Sequence, residues 1–211
     1  MDAVMRVTFP AFSRLQDDSE SIKKILEKSL YIISLITFPL LVILASIAPH
    51  LVHIIPKYTK WAPALFPLYI YCISFAIAAI TTPITNALNA TGKVTTTSKF
   101  MVMWTILTFA FYLPLSYKFG YTGTAIASLL VNLSGYLVWL QAKKLFGVSV
   151  IKTIYPIILG SIITLLSLYI FSYLPIPETF QLISKPLLGV FIFLVYLYFK
   201  QKDQLLWAIG Q

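Results

Sequence analysis

Asn86 and Asn89 stand three residues apart in an apolar stretch, so a helix there puts both carboxamides on one face. A carboxamide donates and accepts, which suits hydrogen bonding to a polar solute in a central cavity. Thr81, Thr82 and Thr85 precede them, and Pro83 frees a backbone carbonyl nearby. The competing use of the pair is structural: bonds to adjacent helices or to that freed backbone. Asn132 and Ser134 form a second polar pair in an apolar run, with bonding between helices again the alternative. These four are the candidate substrate-pathway residues.

His50 and His53 are also three apart. A metal would need further ligands, and the neighbouring sequence offers no carboxylate, so a structural role at a membrane boundary is expected. Ala90-Thr91-Gly92-Lys93 lacks the glycine spacing of a phosphate loop and reads as a helix end capped by Gly92. Two glycosylation sequons, at Asn89 and Asn132, fall outside any outward-facing loop and are set aside. Cys72 is the only cysteine and reads as a small apolar side chain. No nucleophile–base pair, paired carboxylates or dinucleotide fingerprint occurs. The expectation is a non-enzyme with no catalytic residue, no cofactor and no metal site.

These residues must be positioned by elements of an unusual kind. Of the 211 residues, 59% are hydrophobic and 11% charged, and the mean hydropathy is +0.86. A soluble domain carries about 25% charged residues, so most of this outer surface is expected to face lipid. The net charge of +9 comes from Lys and Arg placed between apolar runs, not from a basic stripe interleaved with aromatics. That pattern argues for membrane topology and against nucleic acid as a partner.

About 20 apolar residues cross a bilayer as a helix. Long gaps between charges place six such spans: Leu30 to Pro49, Ala62 to Thr82 (running on toward Ala90), Phe100 to Tyr117, Tyr121 to Gln141, Ile154 to Tyr173 and Pro186 to Phe199. The last is short, and Lys185 and Lys200 are expected to snorkel to the headgroups on either side. Pro39 and Pro83 are the candidate helix bends. Gly120, Thr124 and Ser128, spaced by four beside Gly123 and Ala127, form a ridge of small residues that lets helices approach closely. Trp61 and Trp139 suit interfacial belts, whereas Trp104 lies inside a span and is expected to be packed. The fold class is therefore all-α, a polytopic membrane bundle of about six helices over 30–211.

Residues 1–29 read as a cytoplasmic connector. Asp17 and Glu20 suggest a capping box around a helix start at Asp18 or Ser19. Ile22, Ile25, Leu26 and Leu30 would then share one face, either lying on the inner membrane surface or serving as an ordinary helical link. With six crossings, twelve of the sixteen Lys and Arg residues fall on the side of the N-terminus; Lys57, Lys60, Lys118 and Lys185 fall on the other. Positive residues stay in the cytoplasm, so both termini are expected there, in a multi-pass protein of the cell membrane.

Four stretches resemble the C-terminal half of polysaccharide flippases, the O-antigen type of the multidrug/oligosaccharidyl-lipid/polysaccharide exporter superfamily. They are Phe9-Pro10-Ala11-Phe12-Ser13-Arg14-Leu15 before the amphipathic helix, Lys57-Tyr58-Thr59-Lys60-Trp61-Ala62-Pro63-Ala64, Asn86-Ala87-Leu88-Asn89-Ala90-Thr91-Gly92-Lys93, and Tyr121-Thr122-Gly123-Thr124-Ala125-Ile126-Ala127. The resemblance implies one lobe of a MATE-like transporter that moves a lipid-linked saccharide across the bilayer. It also implies a missing N-terminal lobe, supplied by a further segment or a second chain, because the substrate cavity of such transporters lies between lobes. The family's charged cavity residues find no counterpart by motif. The alternatives are a drug or ion antiporter of the same superfamily, a membrane-embedded transferase, or a non-transporting fragment.

Overall fold

A computed structural model describes residues 18–201. Among them every regular element is helical. In chain order these are α1 (Ser19–Ile54), a 3-10 helix (Pro56–Ala64), α2 (Leu65–Ala90), α3 (Val94–Leu133), α4 (Tyr136–Phe146), α5 (Val150–Phe171) and α6 (Glu178–Lys200).

Five helical stretches are long and apolar enough to cross a membrane. The third, Val94–Phe146, is 53 residues long. Drawn straight it would measure about 80 Å, far more than a bilayer core. It does not run straight. Gly120 has φ 56° and ψ −134°, a conformation open to glycine and strained for any L side chain. Beyond it the chain turns back, because Trp104 Nε1 donates to Ser134 Oγ at 3.0 Å although 30 residues separate them. Residues 94–119 and 121–146 are therefore two antiparallel arms, and the expected six crossings are recovered from five helical stretches. A Cβ on Gly123 would stand 1.8 Å from the Leu115 carbonyl oxygen, so the reversal is built on bare glycine backbone at both positions.

Boundaries shift where local chemistry competes with hydropathy. The second span begins at Leu65, not Ala62, because 56–64 forms a 3-10 turn with prolines at 56 and 63 and no buried residue. The sixth begins at Glu178, eight residues before the expected Pro186. The expected connector is not a separate surface helix: α1 runs unbroken for 36 residues, and the expected boundary at 29 falls inside it. Ile22, Leu26 and Leu30 are fully buried, in one cluster with Leu88, Phe146, Val148 and Ile154. The cap differs as well. Asp18 is the N-cap and accepts from the Glu20 and Ser21 amides and from the Ser21 hydroxyl. Those Ser21 bonds hold its carboxyl below the usual carboxylate range. Asp17 and the stretch 9–15 lie outside the described residues.

Helix α1 is the hub, packed against α2, α5 and α6, while α2 also carries the α3 hairpin. α2 and the second arm of that hairpin run parallel: Tyr71 pairs with Thr124, Ser74 with Ser128 and Asn132, and Thr81 with Trp139. Thr124 and Ser128 of the expected small-residue ridge thus meet α2, whereas Gly120 and Gly123 serve the reversal instead. α6 runs antiparallel to α5, with Gly160 against the Tyr196 ring and the Tyr196 hydroxyl donating to Pro156 O at 2.9 Å. At the end of α2, Gly92 takes φ 73° and the Lys93 amide reaches back to Leu88 O, closing the helix as expected.

Candidate functional site

A cavity of about 870 Å³ opens between α1, α2, α5 and α6. Its walls are almost wholly apolar, among them Phe38, Leu41, Ile73, Ala76 and Leu165. Polar groups gather at the end nearest the 3-10 helix. There His50, Ser172, Tyr169, Tyr173 and Lys185 line it.

Lys185 is the residue that the sequence placed wrongly. Read as a snorkelling boundary lysine, it is instead 2% exposed and sits seven residues inside α6, roughly 10 Å below the helix start. Its Nζ donates to Ser172 Oγ at 2.8 Å and makes a short contact with His50 Nε2. With the ammonium donating, the imidazole accepts at Nε2 and carries its proton on Nδ1. Among the described residues no carboxylate lies within ion-pairing distance of Lys185. The early start of α6 is the cause: the extra turns at 178–185 draw the lysine down against α1 and α5. A basic side chain therefore lines this cavity, although no motif in the sequence pointed to it. The fold also brings a carboxylate to the histidines, with Glu178 Oε1 3.9 Å from His53 Nδ1, both well exposed.

The four candidate pathway residues fall into two groups. Asn132 and Ser134 are engaged between helices. Asn132 Nδ2 donates to Ser74 Oγ at 2.7 Å, and Ser134 Oγ accepts from Trp104. Ser74 also shares a 2.8 Å bond with Ser128, so its fully buried hydroxyl links two polar side chains of the second arm. A double-mutant cycle on Ser74→Ala and Asn132→Ala is expected to return a coupling of about 0.6–1.7 kcal/mol, read from unfolding in detergent–lipid mixtures. Additive losses would show that the bond contributes nothing. Asn86 and Asn89, by contrast, are half-buried near the end of α2 with no side-chain hydrogen bond to another described residue. They lie far from the cavity lining, which α2 reaches through Tyr69, Cys72, Ile73 and Ala76.

Pro39 and Pro83 are both buried within continuous helices. Next to Pro83, Thr81 and Thr82 donate to the carbonyls of Ile77 and Ala78. Trp104 is packed as expected. Trp139, expected in a belt, donates to Thr81. Trp61 is exposed, with Lys60 Nζ 5.8 Å from its ring centre.

Comparison with known proteins bears on this architecture. Overlaid on a solved structure, "Lipid II flippase MurJ, inward closed conformation", 96% of the chain matches at a TM-score of 0.77 with 20% identity, over 43% of that chain. The chain shares the fold of the corresponding part of that structure. Residues 1–65 match the family model described as "Polysaccharide biosynthesis protein". A region of 131 residues is 32% identical to the "Uncharacterized membrane protein in cps region" of Klebsiella pneumoniae, covering 60% of this chain and 26% of that protein. Another of 104 residues is 31% identical to "Lipopolysaccharide biosynthesis protein WzxC" of Escherichia coli (strain K12), covering 49% of this chain and 21% of that one. The chain is thus similar to flippase-type membrane proteins of polysaccharide biosynthesis. It spans about a quarter of the length of the curated relatives it matches.

Proposed function

We propose that this chain is one lobe of a translocator of lipid-linked saccharides, a non-enzymatic flippase whose other lobe is a further segment or a second chain. The observation that carries the reading is the overlay of nearly the whole chain on a flippase of which it covers less than half. The similarity to WzxC supports a saccharide cargo. In this reading the polar head passes between lobes while the lipid tail stays in the bilayer. Asn86 and Asn89, whose carboxamides have no side-chain hydrogen bond among the described residues, face that path. Both ends of the bundle lie in the cytoplasm. With Lys185 drawn into the cavity, only Lys57, Lys60 and Lys118 remain at the opposite end, which strengthens the charge asymmetry.

The test is complementation of a strain lacking its polysaccharide flippase, with the chain expressed beside the N-terminal lobe of a relative such as WzxC. Restored surface polysaccharide is expected, and Asn86→Leu/Asn89→Leu is expected to reduce it at unchanged protein level. No restoration by a co-purifying pair of lobes would refute the flippase reading.

A further inference from the structure

A second pocket, of about 390 Å³, lies at the Asp18 end of the bundle, between α1 and the first turn of α5. Lys23, Glu27 and Tyr31 line it from α1. Spaced by four, they share one face and span about 12 Å along the helix. Ser149 and Lys152 line it from the start of α5. The level is that of a head-group layer, because the charge-free run of α1 begins after Lys28 and that of α5 after Lys152.

Three features of this pocket are unmet within the protein. α5 is 22 residues long, and the amides of Val150, Ile151 and Lys152 have no acceptor among the described residues; Ser149 at the N-cap makes no side-chain bond to them. A helix start of this kind attracts anions without identifying one. Tyr31 adds an independent sign of a guest. It is 2% exposed, and its hydroxyl has no hydrogen-bond partner among the described residues, an arrangement that is unfavourable until a partner arrives. Last, Lys23, Lys152 and Glu27 line one space, yet neither lysine is within ion-pairing distance of Glu27 or of any other described carboxylate. Two cations and a helix start suit an anion with several acceptor oxygens. The carboxylate beside them suits a donor on the same ligand. A bare phosphate satisfies the first and is repelled by the second. A phosphate ester with an ammonium two carbons away satisfies both.

We propose that this pocket binds a phosphoethanolamine group, with its phosphate held by Lys23, Lys152, the α5 amides and the Tyr31 hydroxyl, and its ammonium by Glu27. Two sources can present that group: a phosphatidylethanolamine of the surrounding leaflet or a water-soluble phosphoethanolamine ester. The site is separate from the cavity of Lys185 and does not depend on the flippase reading. Occupation ties α1 to α5, so the packing of the lobe responds to the head group.

The experiment uses the full chain in a neutral detergent, stripped of lipid, with binding of added lipids followed by native mass spectrometry. Phosphatidylethanolamine is expected to bind about tenfold more tightly than phosphatidylcholine, which has the same phosphate and net charge but no N–H to donate. Glu27→Gln should remove that preference, and Lys152→Gln should weaken both lipids. Both side chains reach solvent, so these variants are expected to fold. Tyr31→Phe should weaken phosphatidylethanolamine by roughly fivefold or more. It should leave the thermal midpoint of the lipid-free protein unchanged or raised, because no protein partner is lost. Soluble phosphoethanolamine identifies the source, and either result supports the site: displacement of the lipid at millimolar concentration points to the soluble ester, and persistence points to the lipid. Equal binding of phosphatidylethanolamine and phosphatidylcholine by wild type overturns the proposal without need of any variant. So does a Glu27→Gln protein that keeps the preference, or a Tyr31→Phe protein with unchanged affinity. Tighter binding of phosphatidylglycerol than of phosphatidylethanolamine also overturns it, since the pocket would then respond to net charge alone.

Discussion

Gly123→Val is expected to abolish correctly folded protein, measured as the loss of a monodisperse peak when a fluorescent fusion is chromatographed in detergent. A Cβ there would stand 1.8 Å from the Leu115 carbonyl oxygen and 3.0 Å from the Ser116 amide nitrogen. Both are backbone atoms of the opposing arm, so no rotamer change relieves the overlap. The arms would have to separate, and the bonds across the hairpin and onto α2 depend on their closeness: Trp104 to Ser134, Ser74 to Ser128 and Asn132. A loss above about 4 kcal/mol is expected, in the class that unfolds marginal proteins. Gly120→Ala should be milder. Its Cβ meets open space, and the cost is confined to backbone strain of about 1–3 kcal/mol at positive φ. A Gly123→Val protein as monodisperse as wild type would show that 94–119 and 121–146 are not held as this tight reversal.

Leu26→Asp is expected to be nearly as damaging, for a different reason. Leu26 is fully buried in the cluster joining α1 to α2, α4 and α5 at the Asp18 end. A carboxylate in that apolar cluster is stripped of water, and burying such a charge is expected to cost on the order of 4 kcal/mol. Were 19–29 instead a helix lying on the membrane surface, an aspartate would weaken its attachment and leave the bundle intact. Thermal unfolding of the purified protein separates the two: a large fall in midpoint is expected for Leu26→Asp. Lys24→Ala, which removes the exposed 2.9 Å pair with Glu20, should leave the midpoint nearly unchanged. Equal, small effects of both substitutions would contradict the docked arrangement.

Local information was enough for everything that depends on the solvent. Lipid must meet apolar side chains, and backbone polar groups must be satisfied within a helix, so charge-free runs of about 20 residues declare themselves. Hence the all-helical bundle, the turn-back near Lys118–Tyr121, the capping by Gly92 and the packing role of Thr124 and Ser128 were legible in the chain. Position of the last helix was not. A window that stops at a charge ends the span at Lys185, because the sequence cannot show that Ser172 and His50 wait for the ammonium from α5 and α1. In the same way Leu26 and Ile22 look alike whether an amphipathic helix meets lipid or protein, since both media are apolar. Only the tertiary structure decided which neighbour each face meets: a hydropathy pattern specifies the burial of a side chain, while partners distant in sequence are selected by shape and by complementary polar groups. The cavity, its lone cation and the parallel seam of α2 with the second arm of α3 all belong to that second kind.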